Sequence, residues 1–320
     1  MASSLDIKRR IRSIGSTRKI TKAMEMVSAA KMRRAVSSVM GLRPYAHSAW
    51  SVLTNLARAF ESYNSGFLEV REVKNVLMVV VTSDRGLCGS FNAQIFKKIK
   101  EEIANPEKLF INRIGKRRIL PAKGESISGG KIDFITIGKK GEGMIRKLKK
   151  DIIAAFGESA AFSGIEDVRP ISKILMEDYL AKKYDKVVVV YTDYVSAMTQ
   201  KTRIRQLLPI SKIDIEKHIA EIDIAAKEYG LDEPKVEYKV EPNPEVVLEM
   251  IFPRLIEMQI FHAIFESSAS EHSARMMAMR NATDAAGEMG EELTLAYNQI
   301  RQSKITQEIA EISAGSAALE

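Results

Sequence analysis

The two ends of the chain carry long apolar stripes at helical spacing. Ile7, Ile11 and Ile14 fall at i, i+4, i+7; Ile20, Met24 and Val27 repeat that step, as do Met32, Val36 and Val39. Near the other end Ile251, Leu255 and Met258 lead into Phe261 and Phe265. Leu293, Tyr297 and Ile300 follow, then Ile305, Ile309 and Ile312. Such spacing gathers apolar side chains on one side of a helix, close to the coiled-coil period. Proline first occurs at Pro44 and last at Pro253, so both outer segments are free of the strongest helix breaker. A helix from Arg254 to about Ser313 would extend roughly 90 Å at ~1.5 Å per residue. A compact chain of this length is only roughly 50 Å across. The last helix is therefore expected to project, with its stripe covered by the N-terminal helix in a long antiparallel coiled coil and its final turns bare.

Between the arms the period changes. "NVLMVVVTSD" (75–84) is a β-branched apolar run of the kind that fills buried parallel strands, and the Gly-containing turn "RGLCGSFN" leads from it into the helical "AQIFKKIKEEI". "KIDFITIG" (131–138) reads as a second strand, followed by a helix over "GMIRKLKKDIIAAF". "ISKILMEDYLAKKY" is helical, "KVVVVYTDY" (186–194) is a third strand, and the alternating "QKTRIRQLLPI" reads as an edge or antiparallel strand. Strand–helix alternation predicts an α/β class with a small doubly wound domain in the middle. Residues 105–131 and 211–245, rich in Lys, Gly, Glu and Pro, read as loops or linkers. The expected division is 1–62 for the N-terminal coiled-coil helix, 70–212 for a Rossmann-like α/β domain, 213–245 for a linker and 246–320 for the C-terminal coiled-coil helix.

Composition narrows the classes. With 320 residues and 45% hydrophobic content the chain can bury a substantial core. The single cysteine, Cys88, excludes a disulfide framework within one chain and fits a reducing compartment. No apolar run reaches the ~18 residues of a membrane span, and Met1 to Arg12 lacks the apolar core of a signal peptide. An Arg-rich amphipathic start also suits an organellar transit peptide. Here the periodic pattern runs on without a cleavage-like break, so the start is read as part of the mature protein. The net charge of +8 is segregated: residues 1–43 hold eleven Lys and Arg against Asp6 and Glu25, whereas 254–320 hold five basic and ten acidic residues. A basic arm facing an acidic one accounts for this pattern. Nucleic-acid binding is disfavoured because the basic stretch has no interleaved aromatics, and direct membrane insertion is not expected.

No reactive constellation stands out. In "GESISGGK" (124–131) the glycines are off P-loop register by one residue and Ile132, not Ser or Thr, follows the lysine. "GKKGEG" (138–143) lies between strand and helix but is not GxGxxG. "SDRGLCGSFN" could offer amides to an anion at a helix start, against the simpler reading of a tight turn with Cys88 buried. His47, His218, His262 and His272 form no metal spacing, Cys88 lacks a partner histidine, and the pair Glu291–Glu292 sits on a solvated helix. No catalytic residue, cofactor or metal ligand is assigned.

"ITKAMEMVSAAKMRRA" near the start, "TSDRGLCGSFN" after the first strand, "RQLLPI", and "ESSASEHSARMMAMRNATDAAGEMGEELTLAYNQIRQSKITQEIAEISAGSAA" together resemble the gamma subunit of bacterial F-type ATP synthases. The likeness covers both arms and the centre of the middle domain, and "ITQE" followed by "AEI" and a small-residue tail is its most specific part. Ser316 stands where that family usually has Ala. The loops at about 105–131 and 211–235 are longer than usual for bacterial relatives, and the paired regulatory cysteines of chloroplast forms are absent. The resemblance implies a non-catalytic central rotor, an antiparallel coiled coil rising into the alpha/beta hexamer. Its α/β domain would sit near the epsilon subunit and the c-subunit ring. The implied place is peripheral, on the cytoplasmic face of the plasma (inner) membrane.

The same resemblance implies contacts. Lys19, Lys22 and Met24, with Arg275, Arg301, Gln302, Thr306 and Glu308, match positions that face the alpha/beta ring. Within "EYKVEP" (237–242), Tyr238 and Glu241 match the segment touching the c ring and epsilon. The bland reading of each is a solvated helix surface. Two other functions fit parts of the pattern: a coiled-coil adaptor with an α/β head outside any rotary machine, and a nucleotide-dependent enzyme using the Gly-containing loops.

Overall fold

A computed structural model describes residues 4–60, 65–106, 109–114, 117–119, 130–157, 164–210 and 243–317. The chain divides into two compact units, one of Met1–Ala30 with Arg275–Glu320 and one of Lys31–Ala274. Two helices span most of both ends: α1 over Ser4–Phe60 and α5 over Pro244–Ala317.

The larger unit is built on a five-stranded sheet. Its strands are β1 (Asn75–Val81), β4 (Lys131–Ile137), β5 (Ile152–Phe156), β6 (Lys186–Tyr194) and β7 (Gln200–Leu208), in the order β5-β4-β1-β6-β7. β1, β4, β5 and β6 run parallel, and β7 returns antiparallel to β6 along one edge. β1 takes the centre because it is apolar on both faces: Val76 through Val81 are all 0% exposed. One face packs Leu77, Val79 and Tyr191 against α4 (Arg169–Leu180) and the first half of α5. The other packs Val76, Met78 and Val80 against α2 (Phe91–Ala104) and α3 (Lys139–Lys147). Each fully buried Val or Leu here contributes about 1.5–3 kcal/mol relative to exposure.

Two sequence readings need correction. The helix expected over "GMIRKLKKDIIAAF" stops at Lys147, and Ile152–Phe156 form edge strand β5. Lys149, in the left-handed region at φ 54°, turns the chain there, and the five-residue apolar stretch then pairs with β4. The stretch 105–131, read as loop, contains a small antiparallel pair, β2 (Asn112–Ile114) and β3 (Arg117–Ile119). Both outer prolines lie within helices: α1 runs through Pro44, and α5 begins nine residues before Pro253 and continues past it. The i→i−4 bond that Pro253 cannot donate is offset by burial of Leu248, Phe252, Leu255 and Ile256 around it.

In the smaller unit, α1 buries one line every seven residues. Ile7 (6% exposed), Thr21 (8%) and Ser28 (3%) are buried, with half-buried Ile14 between them. On α5 the covered positions step by four and three: Met279, Thr283, Ala286, Gly290, Leu293, Tyr297 and Ile300. Contacts join the two lines in opposite order. Ile14 Cγ2 lies 3.9 Å from where a Cβ on Gly290 would stand, and the Arg18 guanidinium 3.5 Å from that point on Gly287. The Thr283 hydroxyl donates to Thr21 Oγ1 at 2.8 Å. The expected stripe Ile20–Met24–Val27 is therefore out of phase. Ile20 and Val27 are more than half exposed and only Met24 is half-buried, because the heptad set by Ile7 and Ile14 continues through small Thr21 and Ser28. Both hydroxyls also reach their own helix carbonyls, Thr21 to Arg18 at 3.1 Å and Ser28 to Met24 at 2.7 Å, so their burial leaves no lost hydrogen bond.

Candidate functional surfaces

The glycine-containing loops at the C-terminal edge of the sheet are the first places to look for a ligand, since open α/β sheets bind there. At the start of α3 the polar groups are already engaged. The first amides of α3 donate inward: Lys139 N–H to Asp84 Oδ1 (2.7 Å), Lys140 N–H to the Ser83 carbonyl (3.1 Å) and Gly141 N–H to Thr82 Oγ1 (2.8 Å). Thr82 in turn donates to the Ile137 carbonyl at 3.0 Å. Gly138, at φ 94°, and Gly141 lie so close to Thr82 that a Cβ on either would collide with it. The glycines of "GKKGEG" thus serve close packing of helix on strand, and the α3 terminus has no free donors for a phosphate. In the neighbouring loop Asn92 Nδ2 donates to Ser83 Oγ (2.7 Å) and to the buried Cys88 Sγ (3.2 Å), while Ser83 Oγ donates to the Arg85 carbonyl (2.7 Å). This is the tight turn with a buried cysteine. Of "GESISGGK", residues 124–129 lie outside the described residues.

The expected contact residues fall into three groups. Lys19 and Lys22 are exposed on α1, Lys22 pairing with Glu25 of the same helix at 2.9 Å, and Met24 is half-buried beside them. Arg301, Gln302, Thr306 and Glu308 are exposed on α5, where every described side chain from 301 to 314 faces solvent, Ile305, Ile309 and Ile312 included. Arg275 is different, being 9% exposed. Tyr238 and Glu241 lie outside the described residues, as does the linker around them. The structure adds outward apolar residues. Ile20 and Val27, expected in the seam, and Met26 beside them are each 57–58% exposed, among lysines.

A second feature was missed entirely. Where α5 crosses β6 and β7, Glu266 sits in the core with His262 Nε2 3.3 Å from one carboxyl oxygen. The other oxygen is buried without a hydrogen-bond partner among the described residues. Burial, and then the neighbouring Asp193 carboxylate, push the Glu266 pKa well above the ordinary range; Arg205 and Arg203 oppose the shift. Asp193 is held by Arg203 at 2.6 Å. Burial likewise raises the Tyr191 phenol, whose ring lies under Arg205. The signal in the sequence was one acid inside the apolar stretch "IFHAIFESS". Among the described residues no group of three His, Cys, Asp or Glu side chains is placed to hold a metal ion.

The loop before α3 is thus filled by its own side chains, and α5 is exposed from Arg301 to Ala314. A family profile described as ATP synthase matches residues 3–319. An ATP synthase gamma chain from Heliobacterium modesticaldum is 40% identical over 322 residues, with all of both chains covered. The chain belongs to the ATP synthase gamma-chain family. A Legionella pneumophila (strain Corby) gamma chain is 35% identical over 319 residues, again covering both chains fully. Among solved structures, the central stalk and c-ring assembly of the Tetrahymena thermophila mitochondrial ATP synthase contains a chain with TM-score 0.56 and 25% identity. The match covers 82% of this chain and 99% of that one. A chain of the Euglena gracilis mitochondrial enzyme, in an OSCP/F1/c-ring structure, shares the fold at TM-score 0.62 and 17% identity, over 99% of this chain and 94% of that one. Membership gives the chain its role: a non-catalytic rotor shaft that transmits torque in the enzyme coupling ion flow to ATP synthesis.

Proposed function

We propose that this chain turns inside an alpha/beta hexamer and is driven at its foot by a c-subunit ring, with an epsilon subunit beside it. Its arms, 1–62 and 246–320, act as an antiparallel coiled coil, 70–212 as the α/β head and 213–245 as a linker near the rotor foot. The carrying observation is the contact order of the arms: as α1 advances through Ile14, Arg18 and Thr21, its partners on α5 recede through Gly290, Gly287 and Thr283. The half-buried seam residues Ile14, Gly287, Gly290, Leu293 and Ile300 support the same pairing. Lys19, Lys22, Met24, Arg275, Arg301, Gln302, Thr306 and Glu308 are proposed to meet the alpha/beta ring, and Tyr238 and Glu241 the c ring and epsilon. The assembly is placed on the cytoplasmic face of the plasma (inner) membrane, as a peripheral part. The Tetrahymena assembly, a central stalk with its c-ring, and the Euglena assembly, an F1 with its c-ring, support the c-ring and F1 partners.

The outward surface suits a rotor. Deep aromatic or Arg anchors create preferred seats at an interface, whereas Ile20, Met26 and Val27 offer shallow, soft contact among solvated lysines. Co-expression with alpha and beta subunits tests the reading. A stoichiometric complex in which cysteines at 22 and 302 crosslink to the ring supports it; a chain that purifies alone, with arms that crosslink only between molecules, contradicts it.

A further inference from the structure

Torque in a rotor must pass between head and shaft without the shaft helix rolling in its seat. From Leu255 to Ser273, α5 is covered on nearly every side, and its covered positions include Ser267, Ser268, Ser270 and Ser273. Apolar packing alone resists roll weakly, since burial is non-directional; hydrogen bonds depend on angle and fix orientation. Two of these serines bond to the β6–β7 hairpin. The Ser270 hydroxyl donates to the Thr192 carbonyl at 3.2 Å, and the Ser273 hydroxyl donates to the Ala197 carbonyl at 2.6 Å. Spaced i, i+3, they share one face of the helix.

The hairpin end is shaped to receive them. Ser196 and Thr199 bond each other's backbones at 3.0 and 3.2 Å, closing a tight turn, and Gln200 Nε2 ties back to the same Ala197 carbonyl at 3.0 Å. Val195 and Met198 of this turn point outward, 53% and 79% exposed, so the turn grips α5 through backbone oxygens and not through its apolar side chains. At the base of the turn, the Tyr194 hydroxyl reaches Met32 Sδ of α1 at 3.9 Å. We infer that the β6–β7 hairpin is a strap, with Ser270 and Ser273 as positioning residues that lock the roll of α5 in the head so that torque reaches the shaft undiminished. The small serine side chains matter twice: they let the hairpin backbone approach, and they supply the directional bonds.

The test uses the full-length chain reconstituted with its partner subunits in vesicles, comparing wild type with Ser270→Ala/Ser273→Ala. The strap predicts at least a twofold drop in ions pumped per ATP hydrolysed while hydrolysis continues, with amide exchange at 196–200 at least tenfold faster. Ser270→Ala alone and Ser273→Ala alone, each keeping one of the two directional bonds, should fall between wild type and the double variant in both readouts. Paired cysteines at 197 and 273 should restore coupling to Ser270→Ala when oxidised and lose it again on reduction. Unchanged pumping ratio and unchanged exchange in the double alanine variant would overturn the proposal. If that variant does not assemble, exchange in the isolated Ser273→Ala chain decides: selective acceleration at 196–200 supports the strap, and wild-type protection there rejects it. Wild-type chain that fails to pump in this system would count against the rotor assembly, while the exchange comparison still judges the strap.

Discussion

α5 passes through two environments that could hardly differ more. Between Leu255 and Ser273 almost every side chain is covered, whereas from Arg301 to Ala314 every side chain is exposed, three isoleucines among them. The same apolar spacing runs through both. Ile251, Leu255 and Met258 are part of a core, and Ile305, Ile309 and Ile312, at identical steps, touch solvent. A periodic stripe therefore signals that a helix will be covered by something, without saying whether by its own chain. The buried half belongs to the core of the larger unit; the bare half is the surface proposed above to meet the ring.

The largest expected effect comes from treating both halves alike. Leu255→Ala should destabilise the isolated chain by about 2–5 kcal/mol, as for other large-to-small core changes. Ile309→Ala should stay within about 0.5 kcal/mol, as for exposed sites. Denaturant melts of the two variants read this directly, and equal losses would mean that the tip is covered by the chain itself.

The next prediction concerns the buried acid. Glu266 has its pKa raised in the folded state, so the folded chain binds its proton more tightly than the unfolded chain does. Stability from this group is full below the unfolded carboxylate pKa and declines as pH rises, by up to ~1.4 kcal/mol per pH unit, until the folded pKa is passed. Glu266→Gln should remove that decline. It should be more stable than wild type at pH 8, with the difference shrinking as pH falls toward 4.5. Parallel pH–stability curves for the two proteins would show that Glu266 is already ionised at no cost.

A smaller effect separates the seam of the arms from the core of the head. Thr21→Val removes one member of a buried hydroxyl pair but leaves Thr283 bonded to the Met279 carbonyl at 2.7 Å, so the loss should be about 1 kcal/mol. Pairing with Thr283→Val should recover part of it in a double-mutant cycle; strict additivity would mean the two hydroxyls do not interact. Smallest of all, Lys149→Gly should stabilise by about 0.5–1 kcal/mol, because Lys149 holds a left-handed backbone at φ 54°. A thermal melt showing loss instead would point to an unseen role for its side chain.

What sequence reading recovered follows from where burial is simple. The runs "NVLMVVV" and "KVVVVY" are apolar on both faces and form the central strands; "QKTRIRQLL" alternates and forms the antiparallel edge. "DIIAAF" reads equally as the end of a helix because five apolar residues carry no period of their own, and only the sheet edge decides their state. On α1 the preference for large apolar residues selected Ile20 and Val27, although the heptad phase ran through Thr21 and Ser28. Small hydroxyl residues are invisible to a hydropathy stripe, yet they fit where two helices meet closely. The serines under the hairpin and Glu266 were missed for a related reason: their meaning lies in partners 70 to 80 residues away, such as Thr192 for Ser270 at 78 and Ala197 for Ser273 at 76.

The central claim is that this chain is a shaft turning within a ring. With the alpha/beta hexamer fixed to a surface and a bead attached at residue 98 of the head, addition of ATP should drive sustained one-way rotation of the bead. A bead that stays put or wanders randomly, while the same complexes hydrolyse ATP, would contradict the claim.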